Sequence, residues 1–339
     1  WHAKLHQTLM VVLSHREEYM PENAVESMNV SLKNPFDIRK ENFPDKINFY
    51  GPGLKPHTTS EFSGSMKEFV SISVTGNRCA LNCEHCNTKM LDNMLDLPSY
   101  VGGLFNMAKS LQENGAKGIL VSGGSNIQNQ VPLLPHINDM KRIRNELGMV
   151  IRVHPGLPNE ETCQALAGVG VDGVMLDIIG DQETITDVYH LDATPADYET
   201  VLERLNRHGI PVIPHIILGH YFGKMNGEWA ALNMIKKYPL KALVLVILLP
   251  LTGTGMEGVS PPSVNDIGGF FETARLALPK TQILLGCARP LGSMKIEIDQ
   301  MAINAGLNGI AFPSEGIVSY AGDKGLKPAF INACCGVTW

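Results

Sequence analysis

Three cysteines crowd into eight residues of this chain, in the run Arg78-Cys79-Ala80-Leu81-Asn82-Cys83-Glu84-His85-Cys86-Asn87. A Cys-x3-Cys-x2-Cys spacing lets one tight loop turn all three thiols to the same face. Thiolates arranged so suit the irons of a cubic iron–sulfur cluster, because both partners are soft. No fourth cysteine lies nearby, so one iron would be left open to a small molecule. Two blander readings compete. A structural zinc site normally closes with four ligands, often as two separated pairs, and His85, beside Cys86, is badly placed to reach the metal of its neighbours. The other is a set of buried, inert thiols.

The elements that must position such a loop are legible in the apolar pattern. Runs recur at Phe69–Val74, Gly118–Ser122, Val150–Val153, Gly173–Asp177, Pro211–Leu218, Ala242–Leu248, Ile283–Cys287 and Gly309–Phe312. Helical patterns separate them: Tyr100–Asn114, Leu133–Glu146, Glu160–Gly168, Pro195–His208, Glu228–Lys237, Val264–Ala277 and Ile296–Ala305. Near-continuous apolar strands alternating with helices imply parallel βα units buried on both faces. Eight units predict an α/β fold of the (β/α)8 TIM type, which typically takes about 250 residues. A doubly wound open sheet is the alternative. The expected organisation is an irregular, turn-rich extension over 1–65, a barrel over 66–325 and a short tail over 326–339. Active-site groups gather at the C-terminal ends of barrel strands, and the cysteine loop directly follows the first strand.

Bulk properties narrow the classes. The chain has 339 residues, 44% of them hydrophobic and 18% charged, with a formal net charge of −6. That balance gives no support to a nucleic-acid partner. The longest apolar run, Ala242 to Leu251, is too short to span a membrane. The opening lacks Met, which leaves the natural N-terminus open; Glu17 and Glu18 after an apolar stretch argue against a secretory signal. Seven cysteines, an odd number with three in one loop, do not make a disulfide framework. The expectation is a cytoplasmic protein with reduced, metal-binding thiols.

The cysteine loop resembles the signature of the radical S-adenosylmethionine (radical SAM) superfamily, Cys-x3-Cys-x-aromatic-Cys, with His85 in the aromatic position. The resemblance implies a [4Fe–4S] cluster held by Cys79, Cys83 and Cys86, its fourth iron chelated by the amino and carboxylate groups of SAM. It also implies reductive cleavage of SAM to a 5′-deoxyadenosyl radical that abstracts hydrogen from an unactivated C–H bond. An electron donor such as a reduced ferredoxin or flavodoxin would then be needed.

Further candidates for the SAM or substrate site follow from strand ends. Gly123 and Gly124 close the second run, where glycines let backbone approach a ligand, although Gly-Gly is also an ordinary turn. Ser125 stands where the family usually has the acid of Gly-Gly-Glu. Asp177 ends an apolar run, where an unpaired buried carboxylate is costly, so it faces the mouth or pairs. His215 alternates with apolar neighbours, which leaves a site residue and a satisfied core histidine as equal readings. Thr254 lies in Pro250-Leu251-Thr252-Gly253-Thr254-Gly255-Met256, similar to the Pro-x-x-Gly-Thr-Pro-Met segment of the biotin-synthase-like branch, with Gly255 in place of proline.

Of the other cysteines, Cys163 sits in a helical pattern and reads as a small buried residue. Cys287 ends the seventh run, and Cys334 and Cys335 are adjacent near the C-terminus. If the tail folds over the mouth, these three could ligate a second iron–sulfur cluster with Arg289 beside it; a disordered tail or a packed thiol pair are the competing readings. The span from about residue 45 onward resembles two-subunit lipoyl synthases. It does so through Phe49-Tyr50-Gly51-Pro52-Gly53-Leu54-Lys55, Ser73-Val74-Thr75-Gly76, Ala288-Arg289-Pro290-Leu291-Gly292 and Asn308–Gly316. That likeness implies sulfur insertion into an octanoyl chain on a carrier-protein lysine, with a second radical SAM subunit. Another biosynthetic reaction of the branch is an alternative. An iron–sulfur assembly or electron-transfer protein is a third, disfavoured because a pure carrier usually saturates its cluster with four protein ligands.

Overall fold

The computed structural model describes residues 33–337. All eight expected strands are present: β2 (Phe69–Ser73), β4 (Gly118–Ser122), β5 (Val150–Val153), β6 (Gly173–Asp177), β7 (Val212–Leu218), β8 (Leu243–Ile247), β9 (Ile283–Leu285) and β10 (Gly309–Ala311). They lie side by side in chain order, every pairing parallel. An order that never reverses has no topological switch point, which excludes the doubly wound alternative.

Three strands were not anticipated. β1 (Lys46–Tyr50) is inserted between β10 and a final strand, β11 (Lys327–Ile331), and the two-residue β3 (Leu95–Asp96) extends the far edge beyond β2. The resulting 11-stranded sheet curls as a half-barrel, and among the described residues no ladder joins β1 or β11 to β2 or β3. Pro44 and the Gly51-Pro52 turn disguise β1, whereas Lys327 and Pro328 weaken the apolar signal of β11. Proline is tolerated on β11 because that strand is an edge. The stretch expected to be irregular also contains a helix, α1 (Pro35–Asn42), started by Asn34, whose side chain accepts from the Phe36 N–H.

Helices α2 (Gly103–Glu113), α3 (Ile137–Arg142), α4 (Glu160–Val169), α5 (Pro195–Arg207), α6 (Glu228–Ile235), α7 (Val264–Ala277) and α8 (Ser293–Asn304) follow the strands as the pattern predicts, and α9 (Ile317–Asp323), not anticipated, follows β10. Their starts are written in the sequence. Asn159 and Ser263 accept from the N–H groups of Thr162 and Asp266, and Thr194 with Asp197 forms a capping box. The main apolar core lies between helices and sheet.

A second cluster fills the inside of the curl: Tyr50, Phe69, Met175, Ile213, Val244 and Leu284 from the strands, then Ala333, Cys334, Cys335 and Val337 from the segment after β11. A tail folded over the mouth was one of the readings of this segment, beside a disordered tail and a packed thiol pair. The segment turns into the interior, because the inward faces of β1, β9 and β11 leave apolar space that short side chains can occupy. Buried Arg152 fixes it, donating to the carbonyls of Gly336 at 2.9 Å and Asp172 at 2.6 Å. Replacing Arg152 by Met should leave the Gly336 carbonyl without its side-chain donor and the Asp172 carbonyl with Lys241 alone, at 3.2 Å. We expect a loss of about 2–3 kcal/mol, measured by denaturant unfolding.

Candidate functional site

The cysteine loop is built against its neighbours by backbone contacts. Leaving β2, the chain turns at Gly76, whose φ of +60° suits glycine and whose carbonyl accepts from Ser73 Oγ at 2.6 Å. Ala80 N–H donates to the Ser125 carbonyl at 2.8 Å, and Ser125 N–H points at Cys79 Sγ from 3.3 Å. Gly124 makes the close approach expected of it, but toward the cysteine loop: a Cβ there would overlap the Arg78 carbonyl and lie 2.6 Å from Cys79 Cα. Gly123 is packed similarly against Thr75. Strand β4 thus shapes the loop that carries Cys79.

Glu84 ties the other half of the loop to two more strand ends. Its N–H donates to the Val188 carbonyl at 2.9 Å, its carbonyl accepts from Met256 N–H at 3.1 Å, and its carboxylate pairs with His190 at 2.9 Å. The carboxylate occupies the space that a Cβ on Gly255 would need. Glycine at 255 is therefore matched to Glu84.

Cys83 is buried, while Cys79 and Cys86 are partly open. A hydrogen bond from Cys83, assisted by His85, pulls the Cys86 thiol down to about 4, and the same bond together with burial pushes Cys83 far up. The pair shares one proton, leaving Cys86 as the thiolate. Among the described residues no three His, Cys, Asp or Glu side chains converge closely enough for a single metal ion. A cluster asks for something different, since each thiolate binds its own iron. His85 does not serve as a fourth ligand: its Nδ1 lies 3.2 Å from Nε2 of His220 and its ring packs on Tyr189. The donor set is three thiols on one loop, which fits a cluster and leaves the zinc reading without its fourth ligand.

Beside the loop, the mouth holds a polar group that sequence reasoning found only in part. Asp177 Oδ1 lies 3.6 Å from His154 Nε2, and Oδ2 accepts from Tyr189 at 3.5 Å. His215 faces His154 with ring centroids 6.1 Å apart, and its Nδ1 is engaged by the Ile213 carbonyl, which leaves Nε2 as the open acceptor. Burial alone would lower His154, but the Asp177 charge outweighs it and raises His154 above 6.5. His215, more deeply buried, is pushed down to about 4. The two histidines are thus shifted in opposite directions, His154 up by the Asp177 charge and His215 down by burial. His154, Tyr189 and His220 were missed, although His154 and His220 follow β5 and β7 and the strand-end rule would have found them.

The remaining predicted residues are placed as follows. Ser125 Oγ donates to Asn129 Oδ1 at 3.1 Å, and the Thr254 hydroxyl is spent on the Leu251 carbonyl at 2.7 Å. Cys163 is buried within α4. Cys287 packs against the interior cluster that contains Cys334 and Cys335. Burial raises all three thiols, Cys334 to about 12, with Arg289 opposing the rise at Cys287 and Cys335. Arg289, expected beside a second cluster, has its guanidinium committed elsewhere: it holds Asp299 at 2.7 and 3.1 Å and donates to the carbonyls of Gly286 and Phe312. A groove of about 810 Å³ opens on the outer side of Cys79, between Arg78, Gly124–Asn126, Gln130–Pro135 and Asn159.

Residues 73–228 match the radical SAM superfamily. This stretch is a radical SAM domain. Among curated proteins, a biotin synthase of Prochlorococcus marinus subsp. pastoris is 25% identical, covering 72% of this chain and 73% of that protein. The biotin synthase of Chlorobaculum parvum is 24% identical, covering 77% of each. Of solved structures, methylornithine synthase superposes with a TM-score of 0.60 at 15% identity over 87% of both chains. The [FeFe]-hydrogenase maturase HydG of Carboxydothermus hydrogenoformans gives 0.59 at 15% identity, covering 87% of this chain and 70% of that one. These relatives support the biotin-synthase-like branch and the curled barrel; they do not single out lipoyl synthase. No described helix is long and apolar enough to cross a membrane.

The cofactors of this radical SAM enzyme are a [4Fe–4S] cluster and SAM, and together they supply a reactive alkyl radical when an external donor delivers an electron. Cys79, Cys83 and Cys86 are the donor set that would hold the cluster. The chain's own task is to fix that loop, which Gly124 and Glu84 do, and to bring His154, His215 and Asp177 together at the mouth.

Two tests follow. Gly255→Ala should displace Glu84 and lower iron incorporation, and adding Glu84→Ala should restore part of it; equal iron content in all variants would refute the packing argument. Asp177→Asn should drop His154 from above 6.5 to below it, because burial then acts unopposed, as an NMR titration of the imidazole can read.

Proposed function

We propose that this radical SAM enzyme inserts sulfur at unactivated carbon, acting on an octanoyl chain carried by a protein lysine in lipoyl biosynthesis. The observation that carries this reading is the gathering of Cys287, Cys334 and Cys335 in one interior cluster. Sulfur insertion needs a sulfur source, and three thiols enclosed in the barrel suit a second iron–sulfur cluster. Cys287, Cys334 and Cys335 would hold it, with Arg289 favouring the thiolates of Cys287 and Cys335 and Arg152 that of Cys334. The named activity of the curated relatives, biotin synthase, is compatible with the same chemical class. SAM would lie beside the main cysteine loop, with Gly123, Gly124, Ser125, Asp177, His215 and Thr254 as its neighbours. Reduced ferredoxin or flavodoxin, a second radical SAM subunit and an acylated carrier protein complete the proposed set of partners.

A second reading is a biosynthetic radical reaction of the same branch that needs no sulfur donor. It is favoured by the commitment of Arg289 to Asp299 and by the burial of Cys334 and Cys335 as ordinary protonated thiols.

Anaerobic reconstitution of the chain and its Cys334→Ala/Cys335→Ala variant separates the two. Sulfur insertion predicts that the variant loses the second cluster's iron and its electron paramagnetic resonance signal, with 5′-deoxyadenosine still released. It also predicts that an octanoylated carrier domain raises 5′-deoxyadenosine release by the intact protein. Unchanged iron content in the variant would sink the second cluster, and an inert carrier would sink the lipoyl substrate.

A further inference from the structure

We propose that the mouth of the barrel beyond β9 and β10 is a subsite for an anionic group, a phosphate or a carboxylate, held by Lys55 and Lys295. The inference goes beyond the proposed function and holds for either reading of it.

Four basic side chains converge on one residue, Phe312, which follows β10. Lys295 Nζ donates to the Phe312 carbonyl at 2.5 Å, and Arg289 donates to the same oxygen at 3.0 Å. Lys55 Nζ stands 5.1 Å from the centre of the Phe312 ring, and the His57 ring packs edge-on to it at 5.3 Å. His57 is anchored from outside by the Pro313 carbonyl at 2.8 Å.

One carboxylate answers this charge. Asp299 is fully buried and has both oxygens occupied: Oδ1 by Arg289, and Oδ2 by Arg289, Lys295 and the Ser314 N–H. Among the described residues no carboxylate lies within ion-pair distance of Lys55. Three permanent or near-permanent cations against one saturated anion leave a local surplus of positive charge. Bringing like charges together is unfavourable unless something offsets it.

The backbone is also held against its preference. Phe312 has φ +47°, a left-handed conformation uncommon for an aromatic residue, maintained by its N–H donating to the Tyr50 carbonyl and by the two cations on its own carbonyl. Strain that surrounding bonds over-determine concentrates at ligand sites. Position agrees as well. β9 and β10 are the seventh and eighth strands of the eight-unit series, and the loops after those strands frequently form the anion site of such barrels. Lys55 is exposed and Lys295 is partly open, so both can reach a ligand, whereas Arg289 and Asp299 form the buried brace beneath them.

The test is calorimetric titration of the cluster-reconstituted full chain with inorganic phosphate and, separately, with acetate. At least one anion should bind saturably at a single site. Lys55→Ala should weaken it about tenfold, the effect of losing one charge-assisted hydrogen bond. Lys55→Ala/Lys295→Met should abolish it. Lys55→Ala alone keeps the test decisive if the double variant folds poorly, because that side chain is exposed. Preference for phosphate assigns a phosphorylated ligand, and preference for acetate assigns a carboxylate. Absence of saturable binding by both anions, or binding unchanged in Lys55→Ala, would overturn the proposal.

Discussion

The close approach of Gly124 to Cys79 is the constraint on which the functional end of this protein depends. A loop with three thiols has no reason to hold its shape alone, since it contains neither a regular helix nor a ladder. Its order is borrowed from β4, whose last residues lie so near that no side chain fits between. Glu84 supplies the same service from the other side, spanning to the loops after β6 and β8. The sheet matters to the chemistry because its parallel strands deliver these three loops to one end.

Two kinds of charge arrangement share that end. The Asp177–His154 pair is balanced, and its effect is to shift His154 upward while burial shifts its neighbour His215 downward. The group around Phe312 is unbalanced, with Asp299 already saturated by the cations it supports. Between and below them the interior is largely apolar. The enclosed thiols of Cys287, Cys334 and Cys335 therefore stay protonated unless something binds them.

Much of this was legible in the sequence, and what was missed has physical causes. Parallel strands buried on both faces announce themselves as apolar runs, so β2 and β4 to β10 could be read directly. β1 and β11 could not, because edge position and flanking prolines dilute the pattern that burial imposes. The cysteine spacing identified the loop, since few other uses require three thiols so close together. Spacing could not say that Gly124 serves the loop, that Arg289 is claimed by Asp299, or that the final segment turns inward. Those facts depend on contacts between residues separated by tens to hundreds of positions. His154 stands where the strand-end rule applies, but its pairing with Asp177 is visible only in the fold.

The pairing of β1 with β10 and β11 also bears on the order in which the protein assembles. Phe49 must meet Ile310 and Phe330, whereas Val70 meets Ile119, a far shorter closure. Loop-closure entropy favours the shorter contact first. The cysteine loop, framed by β2 and β4, can thus take shape while the chamber around Cys334 and Cys335 is still open. Pulsed hydrogen exchange of the two regions would order them. Such a sequence of events would leave the deeper thiols accessible to an iron–sulfur carrier during maturation and sealed afterwards.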